Sequence, residues 1–547
     1  MRISFSLSSD KHSRILRFIL VIVLVLGVSF RFINIDKKAY WDDEAFTSLR
    51  ISGYTEAELV ERVASVDRIS VKDLDKYQNI NLNKGLNDTI NSLALEDPQH
   101  PPAYYVITWF WVQWFGNSVA AFRSLSALLS LLALPCIYWL CRELFDSSLT
   151  AWIAVALIGI SPFHVLYAQE AREYSLWTVT ILLSSASLLH AIRLNTKLKW
   201  GIYAATVALS LYTFPSSAIV TVAHGIYVIT IEGFRFSKRM INYLLASIAG
   251  FTVFSPWLVV IITNLNHINK TVGGQGNMPT LSLIKIWTFN LSRIFIDTNN
   301  ERAVIDFGFE NPLTYIIQIT LVALLVILSG YSLYFLCRKT YIQAWLFILT
   351  LILVTCLPIM LKDLIDGGAR TIILRYLTPG YLGIQISIAY LLATGITTIS
   401  RQQKLWQIIL CLLFSGAVYS GVISSQANYW WTKSHSDVNF YAAEFINRAN
   451  RPLLISDGSM GMILGLSHQI NSHVQLQLKP YCHTCRVISP AVLKKNLLPI
   501  PDGFDLFLVA PSHGLIKEIE KDAKYKIKPV SVELWQLVPQ GVIKNKK

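Results

Sequence analysis

The chain has 547 residues, of which 53% are hydrophobic and only 15% charged, and its mean hydropathy is +0.45. Soluble domains carry roughly a quarter charged residues, so this composition excludes a soluble enzyme, a disordered tail protein and a secreted disulfide scaffold. The formal charge of +14 is typical of membrane proteins with basic cytoplasmic loops and does not predict nucleic-acid binding. A polytopic α-helical membrane protein remains.

Eleven apolar runs predict membrane-spanning helices, each of which needs about 20 residues. They lie at residues 15–35, 121–141, 149–167, 174–193, 200–213, 215–232, 243–262, 312–337, 343–361, 373–398 and 405–424. The first run follows Lys11, Arg14 and Arg17 and lacks a small-residue cleavage site. It therefore predicts a retained anchor whose N-terminal end is cytoplasmic.

Basic clusters predict the orientation of the other runs. They are Arg142, Arg193–Lys199, Arg235–Arg239, Arg338–Lys339 and Arg401–Lys404. All of them are cytoplasmic only if residues 103–115 do not cross the membrane, and this short stretch rich in Trp and Tyr favours a re-entrant or interfacial segment. The predicted C-terminus is then outside.

This topology predicts two domains. Residues 1–425 form the transmembrane catalytic domain, with outer loops at 36–120 and 263–311. Residues 430–547 form an extracytoplasmic α/β domain, with helices expected near 438–449 and 515–523 and buried strands at Leu453–Ser456 and Phe504–Ala510.

The interiors of the predicted spans contain no Asp or Glu, since Glu232 lies at the inner end of its span, and we predict no charged or broken helix near the span centres. Transporters of polar cargo usually need such features at mid-membrane. The polar groups gather at outer helix ends instead, which favours chemistry on a lipid-linked substrate at the membrane–water boundary. A lipid-linked saccharide transporter or flippase, and a non-catalytic subunit that presents the outer domain, stay as alternatives.

The first outer cluster is Asp42-Asp43-Glu44, which directly follows Tyr40 and Trp41. Three adjacent carboxylates beside aromatic rings require solvent, a partner or a cation. A carboxylate in such a place can take a proton from an attacking hydroxyl. A solvated loop with an interfacial aromatic anchor is the alternative.

The second cluster runs from Glu96 to Pro102, at the far end of the same loop. Consecutive prolines fix an extended approach to the next helix. Asp97 and His100 are candidate ligands for a divalent metal, or His100 orients a phosphate. A simple proline-capped helix start is the alternative.

The third cluster is Gln169-Glu170-Ala171-Arg172-Glu173-Tyr174, in a predicted outer hairpin. Arg172 offers a planar fork that suits phosphate or carboxylate, unless it pairs with a glutamate of its own loop. Arg123 and Arg375 are predicted at the outer ends of spans. There they either meet a lipid phosphate or extend to the headgroups.

Cys482 and Cys485 share a polar segment of the outer domain. An oxidising compartment favours a local disulfide between them. A zinc site would need two further ligands, for which His468 and His473 are conceivable. A redox CxxC site would need a thioredoxin-like βαβ setting, which the sequence does not predict.

Together these clusters resemble the bacterial branch of the GT-C glycosyltransferases, the superfamily of protein O-mannosyltransferases (glycosyltransferase family 39) and of lipid A aminoarabinose transferases. The matching pieces are Asp43-Glu44, His100-Pro101-Pro102, Phe115-Gly116-Asn117-Ser118 with Arg123, Ser161 to Tyr174, and Arg375-Tyr376-Leu377. The resemblance covers residues 15–400 and leaves out residues 430–547. Two departures concern individual acids, because Asp42 is a second candidate base and Asp97 lies three residues before His100.

The resemblance implies a membrane glycosyltransferase of the cell (inner) membrane, which moves a hexose or pentose from a polyprenyl phosphate to an acceptor on the extracytoplasmic face. The acceptor is a lipid, a glycan or a protein. Asp43 matches the base, beside Glu44. The departing phosphate is assigned to Arg172 and Arg375, with Arg123, His100 and Tyr174 as further contacts. No cofactor is implied, a divalent metal is compatible with the acid density, and direct displacement inverts the anomeric centre.

Overall fold

The structure is a computed structural model of the chain. It describes residues 10–80, 83–272, 278–297, 312–399, 402–433, 436–479, 481–486, 492, 499–521 and 524–540. The chain divides into two compact units. The helical unit comprises residues 1–33, 123–259 and 273–426, and the sheet unit comprises residues 34–122, 260–272 and 427–547.

Helices make up most of the chain, and all strands except β1 lie in its C-terminal segment. The helices are α1 (Asp10–Phe32), α2 (Asp42–Ile51), α3 (Glu56–Ala64), α4 (Val71–Asp75), α5 (Leu86–Glu96), α6 (Ala103–Phe115), α7 (Val119–Leu131), α8 (Ala133–Phe145), α9 (Ser148–Ile160), α10 (Pro162–Ala168), α11 (Tyr174–Leu194), α12 (Lys197–Thr213), α13 (Ser217–Ile231), α14 (Lys238–Thr263), α15 (Leu265–Val272), α16 (Thr280–Arg293), α17 (Pro312–Lys339), α18 (Ile342–Asp366), α19 (Thr378–Thr397), α20 (Gln403–Gln426), α21 (Ser436–Ile446), α22 (Met460–Ser467) and α23 (His513–Lys521). Two 3₁₀ turns, Arg370–Ile372 and Leu374–Leu377, precede α19. The strands are β1 (Ile69–Ser70), β2 (Pro452–Ser456), β3 (Gln475–Leu478), β4 (Asp505–Val509), β5 (Tyr525–Ser531) and β6 (Leu534–Pro539).

The chain is a multi-pass helical membrane protein, with fewer full-length spans than predicted. In the described ranges, eight helices are long and apolar enough to cross a membrane, and a bent pair, α9 and α10, brings the number to nine. Two of the eleven predicted spans form shorter helices, because α12 has 17 residues and α13 has 15. At about 1.5 Å per residue, a 15-residue helix extends roughly 22 Å, which is less than the hydrocarbon core of about 30 Å.

The sheet unit contains one mixed six-stranded sheet, in the order β1-β3-β2-β4-β6-β5. Its centre is parallel, because β2 pairs with both β3 and β4 in that sense, and the outer pairs are antiparallel. Both central strands are almost continuously apolar, as expected for strands covered on two faces. The strands predicted at 453–456 and 504–510 correspond to β2 and β4.

The division into units differs from the predicted domains. The short strand β1 belongs to the first outer loop, yet it pairs with β3 through Ile69 and Leu476. Residues of α2, α3 and α4 also share a buried apolar cluster with the C-terminal segment; members of that cluster include Leu49, Leu59, Leu74, Leu454 and Leu476. The first outer loop therefore folds with the α/β domain, because the apolar faces of its short helices are buried there.

Candidate functional site

The helical unit has a break between α9 and α10, whose axes differ by 57°. Pro162 begins α10 and has no N–H with which to continue the hydrogen bonds of α9. Arg31 of α1 supplies donors instead: its guanidinium donates to the carbonyl oxygen of Gly159, and to that of Ile158 at 3.3 Å. Its Nε donates to Ser130 Oγ at 2.9 Å.

Gln169, at the end of α10, makes the reciprocal contact. Its Nε2 donates to the carbonyl oxygens of Phe30 at 2.8 Å and Ile33 at 3.0 Å, which lie at the end of α1. The last carbonyls of a helix have no partner within the helix. The ends of α1 and α9–α10 therefore cap each other, and this fixes where the following loop begins.

The bend between α9 and α10 differs from one prediction from the sequence, which expected no broken helix near the span centres. Arg31 does not contradict that prediction, because it lies in the last turn of α1. The search of the spans considered only Asp and Glu, so it did not single out this buried arginine.

The loop of residues 170–173 carries buried charge. Glu170 and Glu173 are fully buried and Arg172 is nearly so. Arg172 Nε lies 3.5 Å from Glu173 Oε2, and the backbone N–H of Arg172 donates to the carbonyl oxygen of Glu170 at 2.8 Å. The alternative that we left open for Arg172, a pair with a glutamate of its own loop, is thus present. Buried charges of both signs must compensate one another, so the geometry of this loop is tightly specified.

Tyr174 brings two of the predicted phosphate ligands together. The guanidinium carbon of Arg375 lies 4.8 Å from the centre of the Tyr174 ring, and that of Arg172 lies 5.9 Å from it. Arg375 also lies 5.5 Å from the ring of Tyr376. Cations at such distances are attracted to the face of an aromatic ring. Two arginines that are far apart in the sequence therefore share one tyrosine.

Arg123 lies in α7 and is fully buried. Three residues later, Ser126 Oγ donates to the carbonyl oxygen of Arg172 at 3.3 Å. The helix that carries Arg123 therefore contacts the loop of Arg172. The role of Arg123 as a phosphate ligand stays a prediction.

The acidic cluster of the sheet unit forms the first turn of α2. Glu44 is fully buried, and its Oε2 accepts a hydrogen bond from the Trp41 N–H at 3.1 Å, so this carboxylate caps the helix. Asp42 and Asp43 are half-buried. Burial, with the charge of Asp43, raises the pKa of Asp42 to about 7, and Asp42 Oδ1 has no hydrogen-bond partner. Such a carboxyl is suited to accept protons near neutral pH.

Asp97 and His100 lie at the start of α6 and form part of a charge network. Arg50 Nε donates to Asp97 Oδ2 at 2.6 Å, and Arg50 Nη1 donates to Glu96 Oε2 at 2.7 Å. Although burial alone lowers it, these two carboxylates raise the pKa of Arg50 above its usual value. The N–H of His100 donates to the carbonyl oxygen of Asp97 at 2.9 Å. The metal site at Asp97 and His100 stays a prediction.

The same network reaches the C-terminal segment. Arg50 Nη2 donates to Thr484 Oγ1 at 2.9 Å, and Thr484 donates to Glu56 through its N–H at 2.6 Å and its Oγ1 at 2.7 Å. Burial raises the pKa of Glu56, and the hydrogen bonds from Thr484 and His483 oppose that increase.

A disulfide joins Cys482 to Cys485 and closes the loop that contains Thr484. The two sulfur atoms and a carboxylate oxygen of Glu56 lie within 4.8 Å of one another. In the described part of the chain, no other group of three or more His, Cys, Asp or Glu side chains is close enough to share a metal ion. His468, conceived as a zinc ligand, instead hydrogen-bonds Gln78 Oε1 at 2.7 Å.

Sequence analysis also missed three residues of the sheet unit: Arg50, Glu56 and Thr484. Arg50 and Glu56 lie in helices whose own residues show an ordinary pattern of mixed charge. Their partners are distant along the chain, so only the tertiary fold brings them together. A weak signal exists for Arg50, since a basic residue in the last turn of a helix is common.

The chain resembles known proteins at two levels. Residues 99–260 match the sequence model of a family described as dolichyl-phosphate-mannose-protein mannosyltransferase. No curated protein sequence matches the chain.

Solved structures match over nearly the whole chain. ArnT from Cupriavidus metallidurans, crystallised with undecaprenyl phosphate, superposes with a TM-score of 0.52 at 11% identity, over 94% of this chain and 97% of that one. The apo form of the same protein gives 0.49 at 13% identity, over 97% and 98% of the two chains. The archaeal oligosaccharyltransferase AglB from Archaeoglobus fulgidus, with an inhibitory peptide and a dolichol-phosphate, gives 0.46 at 14% identity, over 84% and 64%.

Proposed function

We propose that the chain is a GT-C glycosyltransferase that transfers a sugar from a polyprenyl-phosphate donor to the hydroxyl of an acceptor. The support is the match of residues 99–260 to a mannosyltransferase family model and the similarity of the fold to that of ArnT. The ArnT structure of the same fold was crystallised with undecaprenyl phosphate, which supports a lipid phosphate as the donor's carrier. The acceptor is a lipid, a glycan or a protein.

The observation that carries this proposal is the position of Arg172 and Arg375 on the ring of Tyr174. A departing polyprenyl phosphate needs positive charge where its own negative charge develops. Guanidinium groups can hold a phosphate through two parallel hydrogen bonds. The mutual capping of α1 and α9–α10 fixes the loop that carries Arg172.

The acceptor hydroxyl requires a base, and we assign this role to the first turn of α2. The motif position favours Asp43, and the raised pKa of Asp42 makes it the second candidate. Glu44 caps the helix whose first turn carries both aspartates. The carboxylate takes the hydroxyl proton, the hydroxyl oxygen bonds to the anomeric carbon, and the bond from that carbon to the phosphate oxygen breaks. The phosphate leaves with the electron pair, and the anomeric configuration inverts.

The experiment that tests the donor assignment compares the binding of undecaprenyl phosphate and undecaprenol to the protein in nanodiscs. Wild type should prefer the phosphate at least 10-fold, because guanidinium groups bind the anion and not the alcohol. Arg172→Lys and Arg375→Lys should lose most of this preference, since an ammonium cannot reproduce the planar fork. Arg338→Lys, at an exposed helix end, is the matched control. Equal binding of both lipids by wild type would contradict the proposal.

We also propose that the site faces the outside of the cell membrane and that the N-terminus is cytoplasmic. The support is the alternation of basic clusters, which favours cytoplasmic ends. Reporter fusions after Thr150 and after Gln426 should read inside and outside, respectively. A cytoplasmic signal after Gln426 would place the α/β domain, and with it the acidic cluster, on the wrong side for this reaction.

One observation favours a second candidate function, a lipid-linked saccharide transporter or flippase. The break between α9 and α10, with a buried arginine beside it, resembles the discontinuous helices of transporters. The two candidates differ in their products. Proteoliposomes loaded with a fluorescent polyprenyl-phosphate sugar should show sugar release onto an acceptor for the enzyme, and movement of the intact lipid between leaflets for the transporter.

A further inference from the structure

The last turn of α18 contains a buried carboxylate, that of Asp363. The residue is fully buried, and the helix ends shortly after it, at Asp366. The C-terminal end of a helix carries a partial negative charge, so a carboxylate is unfavourable there. Removing that carboxylate from water costs several kcal/mol more. The helix itself therefore does not explain Asp363, and contacts beyond α18 must offset the cost.

Asp363 accepts two short hydrogen bonds from one residue of the segment that follows α18. Its Oδ2 accepts from the N–H of Thr371 at 2.6 Å and from Thr371 Oγ1 at 2.6 Å. Hydrogen bonds to an ionised acceptor are shorter and stronger than those between neutral groups. Arg370 approaches the other carboxylate oxygen, since its Nη1 lies 4.0 Å from Asp363 Oδ1. The carboxylate thus holds the first 3₁₀ turn, Arg370–Ile372.

A second helix, α16, holds the same turn. Trp287 Nε1 donates to Thr371 Oγ1 at 2.9 Å, and Asn290 Nδ2 donates to the carbonyl oxygen of Ile372 at 2.8 Å. Trp287 and Asn290 lie about one helical turn apart and so share one face of α16. The hydroxyl of Thr371 therefore donates to Asp363 while it accepts from Trp287. Through this one side chain, α16 and α18 are linked.

The turn held by these contacts leads directly to Arg375. The N–H of Tyr376 donates to the carbonyl oxygen of Ile373 at 3.3 Å, within the segment that joins the two 3₁₀ turns. On the far side, Thr378 Oγ1 donates to the carbonyl oxygen of Arg375 at 2.7 Å. The backbone is thus anchored on both sides of Arg375, at Thr371 and at Thr378.

We propose that Asp363 and Thr371 are positioning residues that hold the guanidinium of Arg375 beside Tyr174, where it binds the phosphate of the lipid donor. They act through the backbone between Thr371 and Arg375. A guanidinium binds phosphate in a planar, bidentate geometry, which a displacement of about 1 Å disrupts. The inference rests on the proposed function, since it concerns the same donor site. It adds residues beyond the family match, which ends at residue 260.

The test measures the preference of the protein in nanodiscs for undecaprenyl phosphate over undecaprenol. Thr371→Val removes the hydroxyl that links Asp363 to Trp287 and keeps the size of the side chain. It should lower the preference of wild type at least about 3-fold, as expected for the loss of one net hydrogen bond, and leave undecaprenol binding unchanged. Thr371→Ser keeps the hydroxyl and should retain the preference. An unchanged preference in folded Thr371→Val would overturn the proposal.

Thr350→Val is the matched control. Thr350 is a buried threonine of α18, and its Oγ1 donates to a carbonyl oxygen of that helix, that of Leu346, at 2.9 Å. Its replacement should leave the preference unchanged, and an equal loss in both variants would overturn the proposal, because the effect would then follow from a weakened α18. Thermal unfolding checks that Thr371→Val folds. If it does not, Trp287→Phe, which removes the indole N–H and part of the ring, takes its place.

A double variant tests whether Thr371 acts through Arg375. Residues that act through one group give non-additive effects, so Thr371→Val should not weaken undecaprenyl phosphate binding further when it is added to Arg375→Lys. A further loss of about 3-fold would contradict the proposal.

Wild type separates this inference from the proposed function. Equal binding of both lipids by wild type would overturn the donor assignment and the positioning role together. A wild-type preference that persists in folded Thr371→Val would overturn the positioning role alone and leave the transferase proposal intact.

Discussion

A buried arginine of the helical unit, Arg31, and one of the sheet unit, Arg50, are stabilised in different ways. In the helical unit, Arg31 and Gln169 donate to backbone carbonyl oxygens at helix ends. These carbonyls need outside donors because the last carbonyls of any helix have no partner within it. In the sheet unit, Arg50 donates to three side chains, those of Glu96, Asp97 and Thr484, the last of them 434 positions away. The first arrangement follows from helix geometry, and the second exists only after the loop and the C-terminal segment have folded together.

The largest expected effect comes from removing Arg50. Arg50→Met leaves the carboxylates of Glu96 and Asp97 buried without their cation, which should cost about 3–5 kcal/mol of the free energy of unfolding. Denaturant unfolding of the protein in detergent measures this loss. Arg142→Met, at an exposed pair with Asp146, should cost less than about 1 kcal/mol.

The network also predicts a rescue. Adding Asp97→Asn and Glu96→Gln to Arg50→Met removes the uncompensated charges, so part of the lost stability should return. If the triple variant were no more stable than Arg50→Met, the cost would come from packing and the charge network would not be its cause.

A smaller effect is expected in the helical unit. Arg31→Met removes the donors to Gly159 and Ile158, and each unsatisfied buried carbonyl costs about 1–3 kcal/mol. The midpoint of thermal unfolding should fall, and binding of undecaprenyl phosphate should weaken because the loop of Arg172 loses its support. Arg338→Met, at the exposed end of α17, should change neither. Wild-type lipid binding in a folded Arg31→Met protein would separate the helix break from the donor site.

The smallest expected effect is the dependence of turnover and stability on pH. Because the pKa of Asp42 is raised to about 7, its carboxyl group is protonated below that pH and ionised above it. If Asp42 is the base, turnover should fall about tenfold per pH unit below 7. Asp42→Asn should also make the protein more stable than wild type above pH 7, since the folded state no longer holds that buried charge.

The turnover of two single variants shows which of the two aspartates is the base. If Asp43 is the base, Asp43→Asn should lower turnover at least about 100-fold, and Asp42→Asn should stay active. An inactive Asp42→Asn beside an active Asp43→Asn would move the assignment by one residue.

The sequence predicts most of the helical unit, because apolar runs and basic clusters are local signals. It also predicts that Arg172 and Tyr174 share a hairpin, whereas it places the acids of residues 42–44 in an outer loop and does not predict the helix α2 that they begin. The apolar runs at 200–213 and 215–232 are themselves shorter than about 20 residues, so the sequence already indicates that α12 and α13 are short. It does not predict β1, because a two-residue strand is defined by its pairing with Leu476 and Gln475.

The site residues also differ in whether the local sequence points to them. The short motif Arg375-Tyr376-Leu377 singled out Arg375 as a candidate phosphate ligand. The structure places its guanidinium beside the ring of Tyr174. Thr484 carries no local signal, because a threonine between two cysteines is ordinary and its partner Glu56 lies in another part of the chain.

The most direct test of the central claim is lipid and glycan mass spectrometry of a strain that lacks this chain, complemented with wild type or with the double variant Asp42→Asn/Asp43→Asn. The account predicts that a polyprenyl-phosphate sugar accumulates in the deletion strain while one glycan or glycolipid loses that sugar. Wild type should restore both, and the expressed double variant should restore neither. Full restoration by the double variant, or an unchanged lipid pool in the deletion strain, would contradict the account.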